Sequence, residues 1–480
     1  MTKKWITSLF FLLFLGIPFE HHKLQIFRPF ARSLLRRFEA LAPFSLTVPP
    51  YFEKNIHFYL SDIVIVLLTA LICLSMRPKF KALAFNSHSR YLTLFWMVAL
   101  FSLILSFFSR YYFQYFNLLN LGIIFLGFHI SRLFFQDNNK MIKKLFWGFA
   151  IVSALECFVG LWQFFAQCPL GLSFLGEISF NLSDPHLAVI PLTEKTRKLI
   201  ELFRVIPLNQ ESLMRAYGTF LHPNIFSAYL ALSLMVSYYL FSQAKNKLQK
   251  SLLISLVIAQ IFCLCLTFSR AGMLSWAVGT ALWFGIFFSK KLSLKKEIRK
   301  QMHPLLWTLG GAFAFSVLVL LPHFLARGGF FNYTSFVQSS DSLRVIYQNV
   351  ALAMIKASPL TGIGYNCFII APSEFFPSDL EIARSWTHNI YLLIGSETGL
   401  IGLGIFLLFL ASLMWPSFKH PFTLLSTTLF TIILGFLIVG LFDFYFLVVQ
   451  SGRLMFFLFS GMLAAQLVTK AKVLPSPSQT

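Results

Sequence analysis

The feature that most constrains this chain is a series of apolar runs, most of them close to 20 residues long. A helix needs about 20 apolar residues to cross the roughly 30 Å of hydrocarbon in a bilayer. Inside lipid, only helices and closed barrels satisfy their own backbone hydrogen bonds. The series therefore predicts an all-α polytopic membrane protein with about 12 transmembrane helices. The runs fall near residues 5–19, 57–76, 91–108, 111–130, 145–164, 224–242, 251–268, 271–288, 304–323, 398–415, 421–442 and 444–467.

Composition supports the same class and excludes others. Hydrophobic residues make up 57% of the chain and charged residues only 12%, about half the charged share of ordinary soluble domains. The net charge of +22 would suit nucleic acid, but the basic residues lie in short clusters between the apolar runs. Such clusters encode membrane orientation. We therefore expect membrane lipid, and no nucleic acid, as a partner.

The basic clusters also predict which loops face the cytoplasm. Short loops at 77–90, 131–144, 243–250 and 289–303 are rich in lysine and arginine, which favours a cytoplasmic position. Both termini are then cytoplasmic. Two long segments, 165–223 and 324–397, are predicted to lie outside, the second of them before the tenth span.

The N-terminal region is the exception to this pattern. The run at 5–19 follows two lysines like a signal sequence, but no small-residue cleavage site follows it, so we interpret it as a retained span. Residues 20–56 should then be external, yet Arg28, Arg32 and Arg36 recur every four residues, which is typical of a basic amphipathic helix on anionic lipid. If the first run does not cross, eleven spans remain. The predicted organisation is 1–56, a bundle over 57–323, an external catalytic segment over 324–397, final spans over 398–467 and a cytoplasmic tail over 468–480.

Three polar constellations interrupt the apolar pattern on the external side. In the first, Arg215 precedes His222 and Asn224 at the start of a span. Exposed amide groups at a helix start favour an anion, and a guanidinium adds charge. The alternative is an interfacial arginine that reaches lipid phosphate, with His222 and Asn224 capping the helix.

In the second constellation, Arg270 lies in a turn so short that the residue must sit at the membrane surface. An arginine there requires a partner, and guanidinium pairs with phosphate through two parallel bonds. Diphosphate is the partner we favour, and a topological arginine bonded to backbone carbonyls is the alternative.

The third constellation lies in the long external segment and comprises Arg344, His388, Asn389 and Glu397. His388 stands just before a predicted helix, and its ordinary pKa near neutrality suits it to take a proton from a sugar hydroxyl. A structural histidine is the alternative. We predict His388 as the catalytic residue, with the seven others named in these constellations binding substrate.

The remaining polar residues do not indicate a catalytic or metal-binding site. Asp62, Glu156 and Asp443 lie near or within apolar runs, where we expect each to neutralise a basic side chain. No P-loop, HExxH or Asp-x-Asp pattern occurs, so we expect neither a metal nor another cofactor. Cys168 and Cys367 both fall in predicted external loops, which leaves a disulfide between them open.

Together these segments resemble the O-antigen ligase and O-antigen polymerase superfamily of bacterial envelope glycosyltransferases. The resemblance covers about half of the chain. It rests on RAYGTFLHPN at 215–224, TFSRAG at 267–272, SLRVIYQNVALAMIKASPLTGIGYNCF at 342–368 and THNIYLLIGSETGLIGLGIFL at 387–407.

The resemblance implies a glycosyltransferase of the GT-C architecture in the bacterial inner membrane, with its active site facing the periplasm. Such enzymes move a glycan from undecaprenyl diphosphate to an acceptor hydroxyl without a nucleotide sugar or metal. At the matching positions of this chain, the resemblance implies that Arg215 and Arg270 bind the donor diphosphate with help from Arg344. It also implies that His388 accepts the proton of the acceptor hydroxyl and that the anomeric carbon is inverted. We expect a ligase acting on a lipid A-core sugar.

Several alternatives remain open at this point. A polymerase or a protein O-oligosaccharyltransferase of the same superfamily would use the same residues with a different acceptor. A transporter or flippase would also have about 12 spans and buried carboxylates. An inactive member that serves as an assembly partner is a further alternative, and the sequence does not determine the oligomeric state.

Overall fold

The structure of the protein is a computed structural model. It describes residues 2–19, 59–75, 87–106, 112–136, 138–178, 188–192, 194–203, 212–289, 292, 296–328, 335–371, 375–376, 385–419 and 422–471. The basic amphipathic segment predicted over 20–56 lies outside the described residues, as does the end of the tail after residue 471.

Helices dominate the described part of the chain, and one falls on each of the predicted apolar runs. Eight of them are long and apolar enough to cross a membrane, judged by length and composition, and three shorter apolar helices accompany them. The elements in chain order are α1 (Thr2–Leu15), α2 (Leu60–Ser75), α3 (Ser87–Leu105), α4 (Tyr112–Phe135), α5 (Asn139–Ala166), β1 (Val189–Pro191), α6 (Glu194–Phe203), β2 (Ser212–Met214), α7 (Pro223–Ser242), α8 (Lys247–Leu266), α9 (Arg270–Phe288), α10 (Lys296–Lys300), α11 (His303–Gly328), α12 (Ser335–Ala357), α13 (Ile390–Lys419), α14 (Leu424–Val439), α15 (Tyr445–Val448) and α16 (Gln450–Ala471).

This architecture confirms the predicted all-α polytopic membrane fold. The helix bounds nevertheless differ from the apolar runs at one important place. The apolar run of the tenth span begins at residue 398, whereas α13 begins at Ile390, just after His388, where the sequence predicted a helix start. The helix therefore carries part of the predicted external segment.

The helix α13 is interrupted at Gly399, where the backbone adopts φ +69°. A Cβ at this position would lie 2.1 Å from the carbonyl oxygen of Leu360, so only glycine fits. The turn after α12 fills the interruption: the amide of Ile363 donates to the Ser396 carbonyl at 2.9 Å, and the amide of Leu400 donates to the Pro359 carbonyl at 2.8 Å. The first part of α13 is thereby fixed to the external segment.

Polar side chains of α5 hold the segment that follows β2. The Gln163 side-chain oxygen accepts from the amides of Tyr217 and Gly218 at 3.0 and 2.9 Å. Glu156 accepts from the Thr219 amide at 2.9 Å and from its hydroxyl at 2.8 Å. Because backbone groups buried near a membrane need partners, these two residues fix the path of the chain into α7.

Two short strands organise the first of the two long segments that the sequence predicts to lie outside. Val189–Pro191 pairs antiparallel with Ser212–Met214, and the Met214 amide donates to the side-chain oxygen of Gln167 at 2.7 Å, just after α5. All six cysteines are free, with Cys168 exposed and Cys367 buried. The disulfide left open by the sequence is therefore not formed.

Candidate functional site

Arg215 lies at the centre of a polar cluster at one end of the bundle. It directly follows β2, and its side chain is only 4% exposed. Nε donates to the Thr267 carbonyl at 2.6 Å, at the end of α8, and Nη2 donates to Oδ1 of Asn224 at 3.1 Å. Arg215 thus joins the end of α8 to the first turn of α7.

Asp443 extends this cluster to the predicted catalytic histidine. Nδ2 of Asn224 donates to Oδ2 of Asp443 at 2.8 Å. The other carboxylate oxygen, Oδ1, lies 3.7 Å from Nδ1 of His388 and accepts from the Phe444 amide at 2.9 Å. Arg215, Asn224, Asp443 and His388 therefore form one continuous row, which we call the Arg215–His388 row.

The start of α13 fixes the position of His388. The side-chain oxygen of Asn389 accepts from the amides of Tyr391 and Leu392, both at 3.0 Å, as a helix cap. The Ile390 amide donates to the Gly440 carbonyl at 2.8 Å, which ties this helix start to the end of α14. Asn389 therefore helps to fix the position of His388, the residue before it.

The charges along the row differ in sign. Burial alone would raise the pKa of Asp443, but the facing imidazole of His388, followed by His222 and Asn224, lowers it to about 2. Burial, followed by the charge of Arg327, lowers the pKa of Arg215 to about 9, which still leaves a cation at neutral pH. A carboxylate therefore separates the guanidinium from the imidazole.

His222 occupies the cap of α7 and does not supply charge. Its Nδ1 accepts from the Asn224 amide at 3.1 Å. Desolvation by the surrounding protein, followed by the charge of Arg215, lowers the pKa of His222 to about 3. The imidazole is therefore neutral at neutral pH, and its observed contact is the helix-capping one considered from the sequence.

The other predicted arginines lie on helices next to the row. Arg270 opens α9 three residues after Thr267 and is exposed. Arg344 lies on α12 and is partly buried, and its charge acts on both Arg215 and His222. Positive charge therefore gathers at the end of the bundle that carries His388.

Glu397 lies elsewhere, and backbone amides donate hydrogen bonds to its carboxylate. Its carboxylate accepts from the Asn366 amide at 2.9 Å and from the Phe368 amide at 3.2 Å, and the residue is 5% exposed. The structure places it beneath the turn that fills the interruption of α13. It does not join the Arg215–His388 row.

Asp443 was not among the site residues predicted from the sequence. It was expected to neutralise a basic side chain, because it is an acid beside an apolar run, but its basic partner could not be identified from the sequence. The partner, His388, is 55 positions away in the chain. The usable signal was the rarity of acids in this chain, which has 18 Asp and Glu residues against 40 Lys and Arg.

Three consecutive residues at the site carry buried polar atoms without a hydrogen-bond partner. They are Nε1 of Trp386, Oγ1 of Thr387 and Nδ1 of His388. Buried polar groups are normally satisfied, so Nε1 of Trp386 and Oγ1 of Thr387 are candidates for contacts with a ligand, whereas Nδ1 of His388 faces Asp443. Within the described ranges, no group of three or more His, Cys, Asp or Glu residues could hold a metal ion.

Comparisons with known proteins agree with the resemblance seen in the sequence. Residues 253–407 match the family model described as O-antigen ligase. The matched part includes Arg270, Arg344 and His388 but not Arg215 or Asp443.

The chain is also similar to a protein of Acinetobacter baylyi named general O-oligosaccharyltransferase. The two are 27% identical over 278 residues, which covers 52% of this chain and 46% of that protein. The chain therefore spans less than half the length of this curated relative.

Proposed function

We propose that this protein is a glycosyltransferase that moves a glycan from undecaprenyl diphosphate to an acceptor hydroxyl, because residues 253–407 match the family model described as O-antigen ligase. The observation that carries the proposal is the Arg215–His388 row, which joins a cation suited to a phosphate with a base suited to a hydroxyl. Neither group alone would indicate transfer.

The donor diphosphate is the leaving group in this reaction, so negative charge develops on its bridging oxygen. Two nitrogens of Arg215 are bound by Thr267 and Asn224, which holds the guanidinium still and leaves Nη1 for the donor. Arg270 and Arg344 add positive charge from neighbouring helices. Fixed charges of this kind stabilise a transition state because they need no reorganisation when the reaction occurs.

His388 acts on the acceptor. The hydroxyl oxygen attacks the anomeric carbon while its proton passes to a ring nitrogen of His388. The bond between that carbon and the diphosphate oxygen breaks, and its electron pair leaves with undecaprenyl diphosphate. Asp443, 3.7 Å from Nδ1, orients the imidazole and stabilises the imidazolium that forms, so Nε2 faces the hydroxyl. Direct attack inverts the anomeric configuration, and the reaction needs no metal.

We infer that this chemistry takes place on the periplasmic side of the bacterial inner membrane. Both termini are then cytoplasmic, because the loops at 77–90, 131–144, 243–250 and 289–303 carry the basic clusters. The donor glycan and the acceptor meet at the outer surface of that membrane.

The acceptor we favour is a sugar of lipid A-core, which makes the protein an O-antigen ligase. The second candidate is a protein hydroxyl, favoured by the name of the relative in Acinetobacter baylyi. A growing glycan, as in a polymerase, is a third acceptor within the same chemistry.

The decisive experiment uses purified protein in vesicles with a lipid-linked glycan and three acceptors: lipid A-core, a serine-bearing protein and a second glycan donor. A new glycosidic bond to one of them supports transfer and identifies the acceptor. Movement of intact donor across the vesicle without a new bond would establish a flippase instead. Mass spectrometry of envelope glycolipids and glycoproteins from a deletion strain tests the same assignment in cells.

A further inference from the structure

A second polar cluster lies at the opposite end of the bundle from His388. Its centre is Arg132, which lies in the last turn of α4 and is 5% exposed. From Gln114, which binds Asn366 in the external segment, α4 runs about 27 Å to Arg132 at 1.5 Å per residue. The cluster is therefore separated from the Arg215–His388 row by most of a membrane thickness.

The guanidinium of Arg132 lacks the partners that a buried arginine requires. Its Nε and Nη1 are buried and form no hydrogen bond. Arg215 and Arg299 show the usual solution: Arg215 binds a backbone carbonyl and Asn224, and Arg299 binds three backbone carbonyls. An unpaired buried charge is costly, so the missing partner of Arg132 is expected to be a molecule other than this chain.

Two histidines lie beside Arg132, one on α3 and one on α4. His129 lies on the same face of α4, one turn earlier, and its Nδ1 is 3.3 Å from Oγ of Ser89 on α3. His88, next to Ser89, has Nδ1 2.9 Å from Oγ of Ser412 on α13. The charge of Arg132 acts on both imidazoles. Helices α3 and α4 thus place two imidazoles beside the guanidinium, and a serine hydroxyl contacts each of them.

We propose that Arg132, with His88 and His129, forms a binding site for the phosphate group of a membrane lipid. The N–H groups of a guanidinium donate charge-assisted hydrogen bonds to phosphate oxygens, and Nε and Nη1 of Arg132 are both without a partner in the protein. Basic pockets between helix ends bind anionic lipid headgroups. Arg132 is within one turn of the end of α4, so its side chain reaches headgroup depth by turning toward the bilayer surface.

Lipid retention by the purified protein tests the site directly. Detergent-solubilised protein is given phosphatidylglycerol, and bound lipid is counted by native mass spectrometry. Arg132→Met should retain phosphatidylglycerol about fivefold more weakly, the factor for one cation beside an anionic headgroup. The matched control is Arg90→Gln, because Arg90 is an exposed arginine on α3 at the same end of the bundle. Equal retention by Arg132→Met and Arg90→Gln would overturn the proposal.

Thermal unfolding separates a lipid site from a purely structural arginine. Without lipid, Arg132→Met should be as stable as the natural protein or more so, because it removes an uncompensated buried charge. Phosphatidylglycerol should raise the unfolding temperature of the natural protein and of Arg90→Gln but not of Arg132→Met. Loss of stability in Arg132→Met that is the same with and without lipid would show a structural role and overturn the proposal.

Two further additions identify the source of the phosphate. Diacylglycerol, which has the same chains without phosphate, should not stabilise the protein, and stabilisation by it would overturn the proposal. Inorganic phosphate that stabilises the natural protein as well as phosphatidylglycerol does would assign the site to a soluble phosphate. If Arg132→Met does not fold, Arg132→Lys is the second variant, because lysine keeps the charge but lacks the guanidinium. Arg132→Lys should fold and should retain less lipid than Arg90→Gln.

Discussion

Two buried carboxylates of this protein, Glu397 and Asp443, are equally hidden from solvent but contact different kinds of group. Each residue is 5% exposed. Glu397 accepts from two backbone amides, whereas Asp443 faces the side chains of Asn224 and His388. A carboxylate that accepts from backbone amides holds a turn in place. A carboxylate that faces a histidine and an asparagine sets the orientation of those side chains and the charge of the histidine. Burial alone does not identify a functional acid; its partners do.

The largest expected effect concerns the histidine that Asp443 faces. His388→Ala should lower transfer by about 10²- to 10⁴-fold, because general base catalysis contributes that much. Expression and membrane insertion should be unchanged, since the imidazole is at the external mouth. Transfer is measured in vesicles with a lipid-linked glycan. Normal product from this variant would discard His388 as the base.

The second prediction compares the two acids by the same chemical change. Asp443→Asn should lower transfer by on the order of a hundredfold, because the amide orients the imidazole poorly and does not stabilise its charge. Glu397→Gln should instead lower the free energy of unfolding by about 1–3 kcal/mol, since one of two amide contacts is weakened. Its transfer rate per folded molecule should stay within a few fold. If the two variants show the opposite pattern, the roles assigned to the two acids are exchanged.

The third prediction concerns the cation at the other end of the row. Arg215→Lys should lower transfer roughly tenfold, because lysine keeps the charge but loses the charged hydrogen bonds to Thr267 and Asn224. Arg299→Lys is the matched control: Arg299 also binds backbone carbonyls, at the opposite end of α9. Transfer per folded molecule should be unchanged in the control. A similar loss in both would show that Arg215 acts through folding.

The smallest effect is the acid dependence of stability. The pKa of Asp443 in the folded protein, about 2, is below its ordinary value of 3.8. The stabilisation it provides is therefore fully present above about pH 4 and is lost as the pH falls toward 2, a contribution of about 2 kcal/mol. Asp443→Asn should lack this part of the acid dependence in thermal unfolding.

Glu194→Gln is the control for that measurement, because Glu194 is an exposed acid paired with Lys198 on α6. Its unfolding should follow the natural protein across the same pH range. If Asp443→Asn and Glu194→Gln lose stability in acid to the same extent, the side chains around Asp443 do not hold its charge.

Much of the fold could be predicted because hydropathy is a local property. Each apolar run predicted a helix, and the helices follow because a backbone in lipid must satisfy its own hydrogen bonds. The sequence also predicted a helix just after His388, but hydropathy did not predict that the turn after α12 and Gly440 contact the first turns of α13. Those contacts join segments distant in the chain.

The candidate site could likewise be predicted only in part from the sequence. The sequence itself determined the apolar spans and identified Arg215 and His388 as basic groups that a membrane surface would not hold without a reason. Only the tertiary structure decided that Asn224 and Asp443 connect them, and that Glu397 serves a turn instead. The physical reason is that hydropathy depends on neighbours along the chain, whereas the role of a buried charge depends on which groups the packed helices bring within hydrogen-bonding distance.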